Sequence, residues 1–429
     1  MKTLLFSFSF FLSLFLYSQN QPITIGERME IESQILQETR AVNIYLPQGY
    51  HMTSRATYPV LYMLDGDYNF HYVTGMIDQM ASISEIIQEC IVVGIADKGH
   101  DRYVESCTPF DKKNNPAGNA ENVLRFITEE LRPFLSSNYR ISDFDMLAGH
   151  SLGGLFVIHS LLSKPESFNA YIAISPSLWW NDYQVEKEVE GFFKKHENLQ
   201  RSLFLSVGNE KGMGILGFQN QLDIQTFADE YYGNTPLGLD YHFNIFPDEN
   251  HNSVGLISIK TALESLFEKY ELNPADFENV ETLNDYLSLI SPLREQLGAG
   301  FRLPTRQLKT AIEKAFQDPS FDVAAAEKVI SRDFSASLGD FYLICGQIFI
   351  KKGKTESGET YLQKSINREP NDVNSWMELG QYYSKAGEKE KALANYEKAH
   401  EITTKIKVPR WVQNELNARI LGLKDSSNK

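Results

Sequence analysis

AGHSLGGLF, residues 148–156, sets Ser151 in a G-x-S-x-G pattern between Gly149 and Gly153. The pattern describes a sharp turn that lifts a serine hydroxyl clear between a strand and a helix. Glycines flank such a turn because two backbones approach where a Cβ would not fit. The neighbouring sequence supplies both elements. The apolar stretch FDMLA (144–148) reads as the strand, and LGGLFVIHSLL (152–162) reads as the helix. A helix that opens just after Ser151 turns its free first-turn N–H groups toward an oxygen under attack.

Outward from the turn, apolar runs and helical periods alternate. YPVLYMLDG (58–66), CIVVGIA (90–96), AYIAISPS (170–177), LFLSVGNE (203–210) and YHFNIFPDEN (241–250) are apolar enough for strands covered on both faces. MEIESQIL and TRAVNIYLP precede them as an antiparallel pair. Between the strands, residues 119–139 place Val123, Phe126, Ile127, Leu131 and Phe134 on one helical face, and residues 257–270 repeat the pattern. Alternation of this kind predicts an α/β fold with a mostly parallel central sheet. This domain is expected over residues 19–271.

The character changes after Tyr270. Residues 272–303, with Pro274, Pro292, Gly298 and Gly300, read as an irregular connector. From 304 to 429 the pattern is helical only, and it repeats at a shift of 34: Gly346 matches Gly380, Gly353 matches Gly387, Tyr342 matches Trp376, and Phe349 matches Tyr383. Trp376, Leu379, Gly380, Tyr383, Ala392, Tyr396 and Ala399 resemble a tetratricopeptide repeat, so an all-α repeat domain is expected. Two copies are few for such an array. Either 304–333 is a degenerate first unit, or the array packs on the sheet domain.

A serine hydroxyl needs a base. Of the histidines after Ser151, only His251 follows a late strand, in the polar loop PDENHNS, before the last helix of the domain. The acid is expected in the loop after the preceding strand, where Glu210 stands; Asp248 and Glu249 are the alternatives. Two backbone N–H groups are needed for an oxyanion, and those of Asp67 and Leu152 are expected to supply them. Trp179 and Trp180 follow a central strand, so they are candidates to wall a substrate pocket, although large aromatics often serve packing instead.

YPVLYMLDGD, GHSLGG, SPSLWW, SVGNE and PDENHNS, in this order, resemble the putative-esterase family of α/β hydrolases over roughly residues 25–271. That family includes siderophore (enterobactin), feruloyl and acetylxylan esterases, S-formylglutathione hydrolase and mycolyltransferases, and the likeness is nearest to the periplasmic siderophore esterases. The resemblance implies a nucleophile at Ser151, a base at His251 and oxyanion donors at Asp67 and Leu152. It matches Glu210 less securely. Arg102, a candidate to bind substrate, follows a family segment with Thr108 and Pro109, but Glu105 and Cys107 between them depart from it, which bears on the substrate and not on the reaction.

Residues 1–18 carry Lys2, an apolar stretch over 4–17 and a small residue at Ser18, the pattern of a secretory signal peptide. Export to the periplasm or beyond the cell is expected. No later apolar run is long enough for a membrane span. A net charge of −15 argues against nucleic acid as a partner. Three cysteines, Cys90, Cys107 and Cys345, fit neither a disulfide framework nor a metal site, and no cofactor is expected. A Cys90–Cys107 bridge is open. The expected activity is hydrolysis of a small-molecule carboxylic ester through an acyl-enzyme. The alternatives are acyl transfer by the same residues, or a non-catalytic scaffold that meets a protein partner, or a second copy of itself, through the repeats.

Overall fold

The computed structural model describes residues 22–196, 198–232 and 235–425, so the leader expected over 1–18 lies outside the described residues. Eight strands form one sheet in the order β1-β2-β4-β3-β5-β6-β7-β8. Their ranges are β1 Glu27–Ser33, β2 Glu38–Tyr45, β3 Tyr58–Met63, β4 Ile91–Ile95, β5 Ile141–His150, β6 Ala170–Ile174, β7 Asn198–Asn209 and β8 Leu237–Asn250. β1, β2 and β4 pair antiparallel, and every pair from β4 through β3 to β8 is parallel. The antiparallel opening and the parallel centre are those expected from the sequence.

All residues of β3, β4 and β6 are buried. Side chains still alternate between two layers, as the strand period of two requires. Leu61 and Met63 join one apolar cluster, while Val60 and Tyr62 join the other. The helix after the elbow (Leu152–Ser163) covers the second layer through Leu155, Phe156, Ile158 and Leu161. The helix Val254–Leu266 covers the first through Val254, Ile259, Ala262 and Leu263.

The stretch read as an irregular connector is largely helical. Leu283–Leu297 is a 15-residue helix opened by a capping box between Thr282 and Asp285 and closed at Gly298 with φ 94°. Leu283, Tyr286, Leu287, Ile290, Leu293 and Leu297 are buried at helical spacing, which Pro292 within the helix and Gly298 after it disguise. These side chains extend the first layer of the core. One apolar cluster runs from Met63 and Ile172 of the sheet through Ile290 to Phe341 and Ile348. The helices Thr305–Ala315 and Val323–Asp333 belong to it as well, through Leu308, Ile312 and Ile330. The helical part therefore packs on the sheet domain.

Two helix pairs follow, Leu338–Lys351 with Thr355–Arg368 and Val373–Lys385 with Lys389–Thr403. The 34-residue repeat has a steric basis. A Cβ on Gly346 would stand 2.8 Å from Leu362, and one on Gly380 would stand 2.8 Å from Tyr396. Each pair closes only because its first helix lacks a side chain there. The helix Arg410–Asp425 packs on the last pair through Leu416. Cys90, Cys107 and Cys345 are all free and buried. No helix among the described residues is long and apolar enough to cross a membrane.

Candidate active site

Ser151 follows the last residue of β5 with φ 59° and ψ −117°, a strained conformation for a residue with a Cβ. Three backbone bonds hold it there. Its N–H donates to Ile174 O at 2.9 Å, and its carbonyl accepts from Leu155 N–H at 3.0 Å and Ser177 N–H at 3.1 Å. A Cβ on Gly149 would meet Gly153 O at 2.2 Å, so the turn closes only with glycine there. The Ser151 hydroxyl is 3.3 Å from Ser177 Oγ.

The carboxyl ends of β6, β7 and β8 bring the remaining groups to the same edge. Asn209 pairs with Asn250 after a register shift beyond Gly208–Phe246. That shift sets the residues after the two strands, Glu210 and His251, side by side. His251 Nδ1 and Glu210 Oε2 are 2.5 Å apart. The second oxygen, Glu210 Oε1, accepts from Ser175 Oγ at 2.7 Å. Glu210 is fully buried, and burial by itself raises a carboxyl pKa. The hydrogen bond and charge of His251, with the hydroxyl of Ser175, outweigh burial and hold Glu210 below its ordinary range. Of the three candidate acids, Glu210 is the one in contact with His251. Asp248 is exposed, and Glu249 accepts from the Ser253 hydroxyl instead.

His150 lies beneath His251, their ring centroids 4.5 Å apart. Burial, and then the neighbouring His251, lower the His150 pKa to about 4, so its ring is neutral at neutral pH. Asp67 is the second residue of the helix Gly66–Ile77 after β3, and Leu152 is the first residue of the helix after the elbow. Both expected oxyanion donors thus belong to first helical turns, where N–H groups have no acceptor within the helix. The Asp67 side chain pairs with Arg28.

Trp179 and Trp180 part company. Trp179 is 43% exposed, whereas Trp180 packs on the second core layer with its indole N–H buried and unpaired. Arg102 is committed to two carboxylates, Glu38 at 2.8 Å and Glu105 at 2.6 Å. Glu105, one of the two residues that depart from the family segment, therefore occupies the arginine together with Glu38.

Four contributors escaped the sequence reading. Ser175 and Ser177 lie in the quoted SPSLWW stretch, but only its tryptophans drew attention. Tyr103 and Asp65 form a bridge behind the elbow: the Tyr103 hydroxyl donates to Asp65 Oδ2 at 3.0 Å and accepts from Gly153 N–H at 3.1 Å. Asp65 itself has φ 55°, and its unusual backbone is the local sign of a special position.

Residues 33–219 match the model of a family described as "Putative esterase", and residues 339–372 and 361–394 each match a tetratricopeptide repeat. The ferri-bacillibactin esterase BesA of Bacillus subtilis is 28% identical over 250 residues, covering 53% of this chain and 84% of its own length. An IroE-like serine hydrolase from Shewanella oneidensis superposes with a TM-score of 0.59 at 26% identity, covering 74% of this chain and 98% of that one. An uncharacterised protein from Capnocytophaga ochracea, 19% identical, shares the fold over 93% of this chain and 99% of its own, with a TM-score of 0.53.

Proposed function

Taking as premise that residues 33–219 belong to this esterase family and that the protein is a carboxylic ester hydrolase, we propose that it works through an acyl-enzyme on Ser151. His251 takes the proton from the Ser151 hydroxyl as the oxygen attacks the ester carbonyl, then gives it to the leaving alcohol. Glu210 fixes the histidine tautomer with Nδ1–H and stabilises the imidazolium. The N–H groups of Asp67 and Leu152 receive the tetrahedral oxyanion. Water, activated by His251, then attacks the acyl carbonyl, breaks the bond to Ser151 Oγ and restores the hydroxyl.

The observation that carries this reading is the 2.5 Å contact between His251 and a buried, ionised Glu210 on the sheet edge where Ser151 emerges. The Ser151 hydroxyl rests against Ser177 and must turn to His251 Nε2 when substrate binds. Catalytic hydrogen bonds commonly tighten only in the complex. The relative named for ferri-bacillibactin supports an iron-siderophore ester as the substrate class. Exposed Trp179, at the mouth formed after β6, is a wall for its aromatic or acyl part. We place the enzyme outside the cytoplasm on the leader pattern of residues 1–18. The role of the repeats is to cover and brace the sheet domain, which the core shared from Met63 to Ile348 supports.

The test uses the chain from residue 19 mixed rapidly with an activated aryl ester. Release of phenol by the wild type, lost in Ser151→Ala with the fold intact, is the expected result. Retained turnover in that variant overturns the acyl-enzyme. A panel of siderophore, feruloyl and acetyl-sugar esters then ranks the substrates.

A further inference from the structure

At the opposite edge of the sheet, where β3 begins, a cavity of about 290 Å³ lies between the sheet domain and the helical part. Tyr58, the first residue of β3, lines it, and so do Leu343 of the first repeat and Trp411 of the last helix. Tyr58 pairs with Ile141 at the start of β5, whereas His150 ends β5 beside Ser151. The length of β5 separates the cavity from the elbow by about 30 Å at 3.3 Å per residue. This is not the ester site.

The walls have the chemistry of a receptor for a cation. Three carboxylates, Glu85, Glu89 and Asp340, face one guanidinium, that of Arg302. Arg302 is already committed, since its Nε and one terminal nitrogen each donate to Asp340 at 2.8 Å. Glu89 Oε1 accepts from Gly49 N–H at 2.9 Å and Ser82 Oγ at 3.1 Å. Its other oxygen, Oε2, forms a long ion pair with Arg302 Nη1 at 4.0 Å and accepts no hydrogen bond from it. Beside it, Gln88 is 2% exposed, and its Oε1 has no hydrogen-bond partner although its Nε2 donates to Thr57 O at 3.3 Å. A buried acceptor left unmet is costly, and it is rarely left so without a ligand or water to meet it. An anion would meet net negative walls. Met52 and Leu343 are apolar, and the 64% exposed indole of Trp411 offers a face over which a cation is attracted.

We propose that this cavity binds a primary ammonium group on a short aliphatic chain. The ammonium donates to Gln88 Oε1 and Glu89 Oε2, and the chain runs past Met52 and Leu343 toward Trp411. A free diamine and a lysine side chain share this chemistry. The site is independent of the ester reaction and does not rest on the acyl-enzyme reading.

The experiment is calorimetric titration of the chain from residue 19 with cadaverine and, separately, with Nα-acetyl-lysine methylamide. Saturable binding of at least one probe is expected, weakened about tenfold or more by Glu89→Gln. Trp411→Ala, a change at an exposed position, weakens it as well, and both variants keep wild-type turnover of the aryl ester. Binding of cadaverine alone assigns the site to free diamines; binding of the lysine analogue alone assigns it to a partner's side chain; binding of both means that the ammonium by itself is recognised. Absence of saturable binding by either probe overturns the proposal. So does binding that both variants leave unchanged.

Discussion

The Tyr103 hydroxyl is hydrogen-bonded to Asp65 at 3.0 Å. Because the same hydroxyl accepts from Gly153 N–H, the pair ties the loop after β3 to the helix that opens at Leu152. Those two segments carry the N–H groups assigned to the oxyanion. Tyr103→Phe cuts the tie and leaves Gly153 N–H without its acceptor. A fall in kcat of about tenfold is expected, from the 1–2 kcal/mol typical of one such bond, with KM nearly unchanged. Steady-state kinetics on the aryl ester decide it, and an unaltered kcat assigns Tyr103 to packing alone.

Asp65 also responds to pH. Burial, and then the negative charge of Asp97, raise its pKa to about 7, against the lowering effect of the Tyr103 hydrogen bond. Between the unfolded carboxyl pKa near 4 and this value, the folded chain holds a proton that the unfolded chain has released. Asp65 therefore lowers stability as pH rises through that window and adds no further change above it. Asp65→Asn is expected to flatten the fall in Tm between pH 5 and pH 7. Equal Tm profiles for the two proteins would remove the carboxyl from this account.

Glu210→Gln keeps the size of the buried side chain but removes its charge and allows the wrong histidine tautomer. By analogy with the serine-protease triad, kcat drops by about 10²- to 10⁴-fold. Asp248→Asn and Glu249→Gln leave kcat within about twofold, since neither side chain touches His251. Activity that survives in Glu210→Gln and collapses in Glu249→Gln would reverse the assignment of the acid.

Ile290→Ala tests whether the Leu283–Leu297 helix is part of the core. Ile290 is fully buried, so its truncation costs about 2–5 kcal/mol, read as a lowered denaturant midpoint. A chain ended at residue 271 exposes Leu266, Phe267 and Tyr270, which the helical part covers. It is expected to aggregate during purification, and a soluble, active 19–271 fragment would show that the sheet domain needs no cover.

The sequence made the elbow, the strands β3 to β7 and the repeats readable because each is a local pattern. A glycine-flanked serine, an unbroken apolar run and a 34-residue period all lie within one stretch of chain. Glu210 was expected from its place after a strand, but Asp248 and Glu249 stayed open as alternatives, because the contact with His251 depends on a register shift between β7 and β8. Tyr103 was invisible for a similar reason: its partners lie 38 and 50 residues away. Pro292 hid the helix of residues 283–297, although the Thr282–Asp285 capping box stood in view. The serines of SPSLWW were passed over because small polar residues after a strand usually mean only a turn.

The core that joins Met63 to Ile348 also has an order in time. At 5–20 residues per second, a ribosome needs about 4–15 s to extend the chain from residue 271 to residue 348. Throughout that interval the whole sheet sequence has been made while the helices of residues 283–348, which complete the cover of its first layer, have not. During it, Leu266, Phe267 and Tyr270 wait for the residues that cover them, so the sheet domain is finished only by chain made after it.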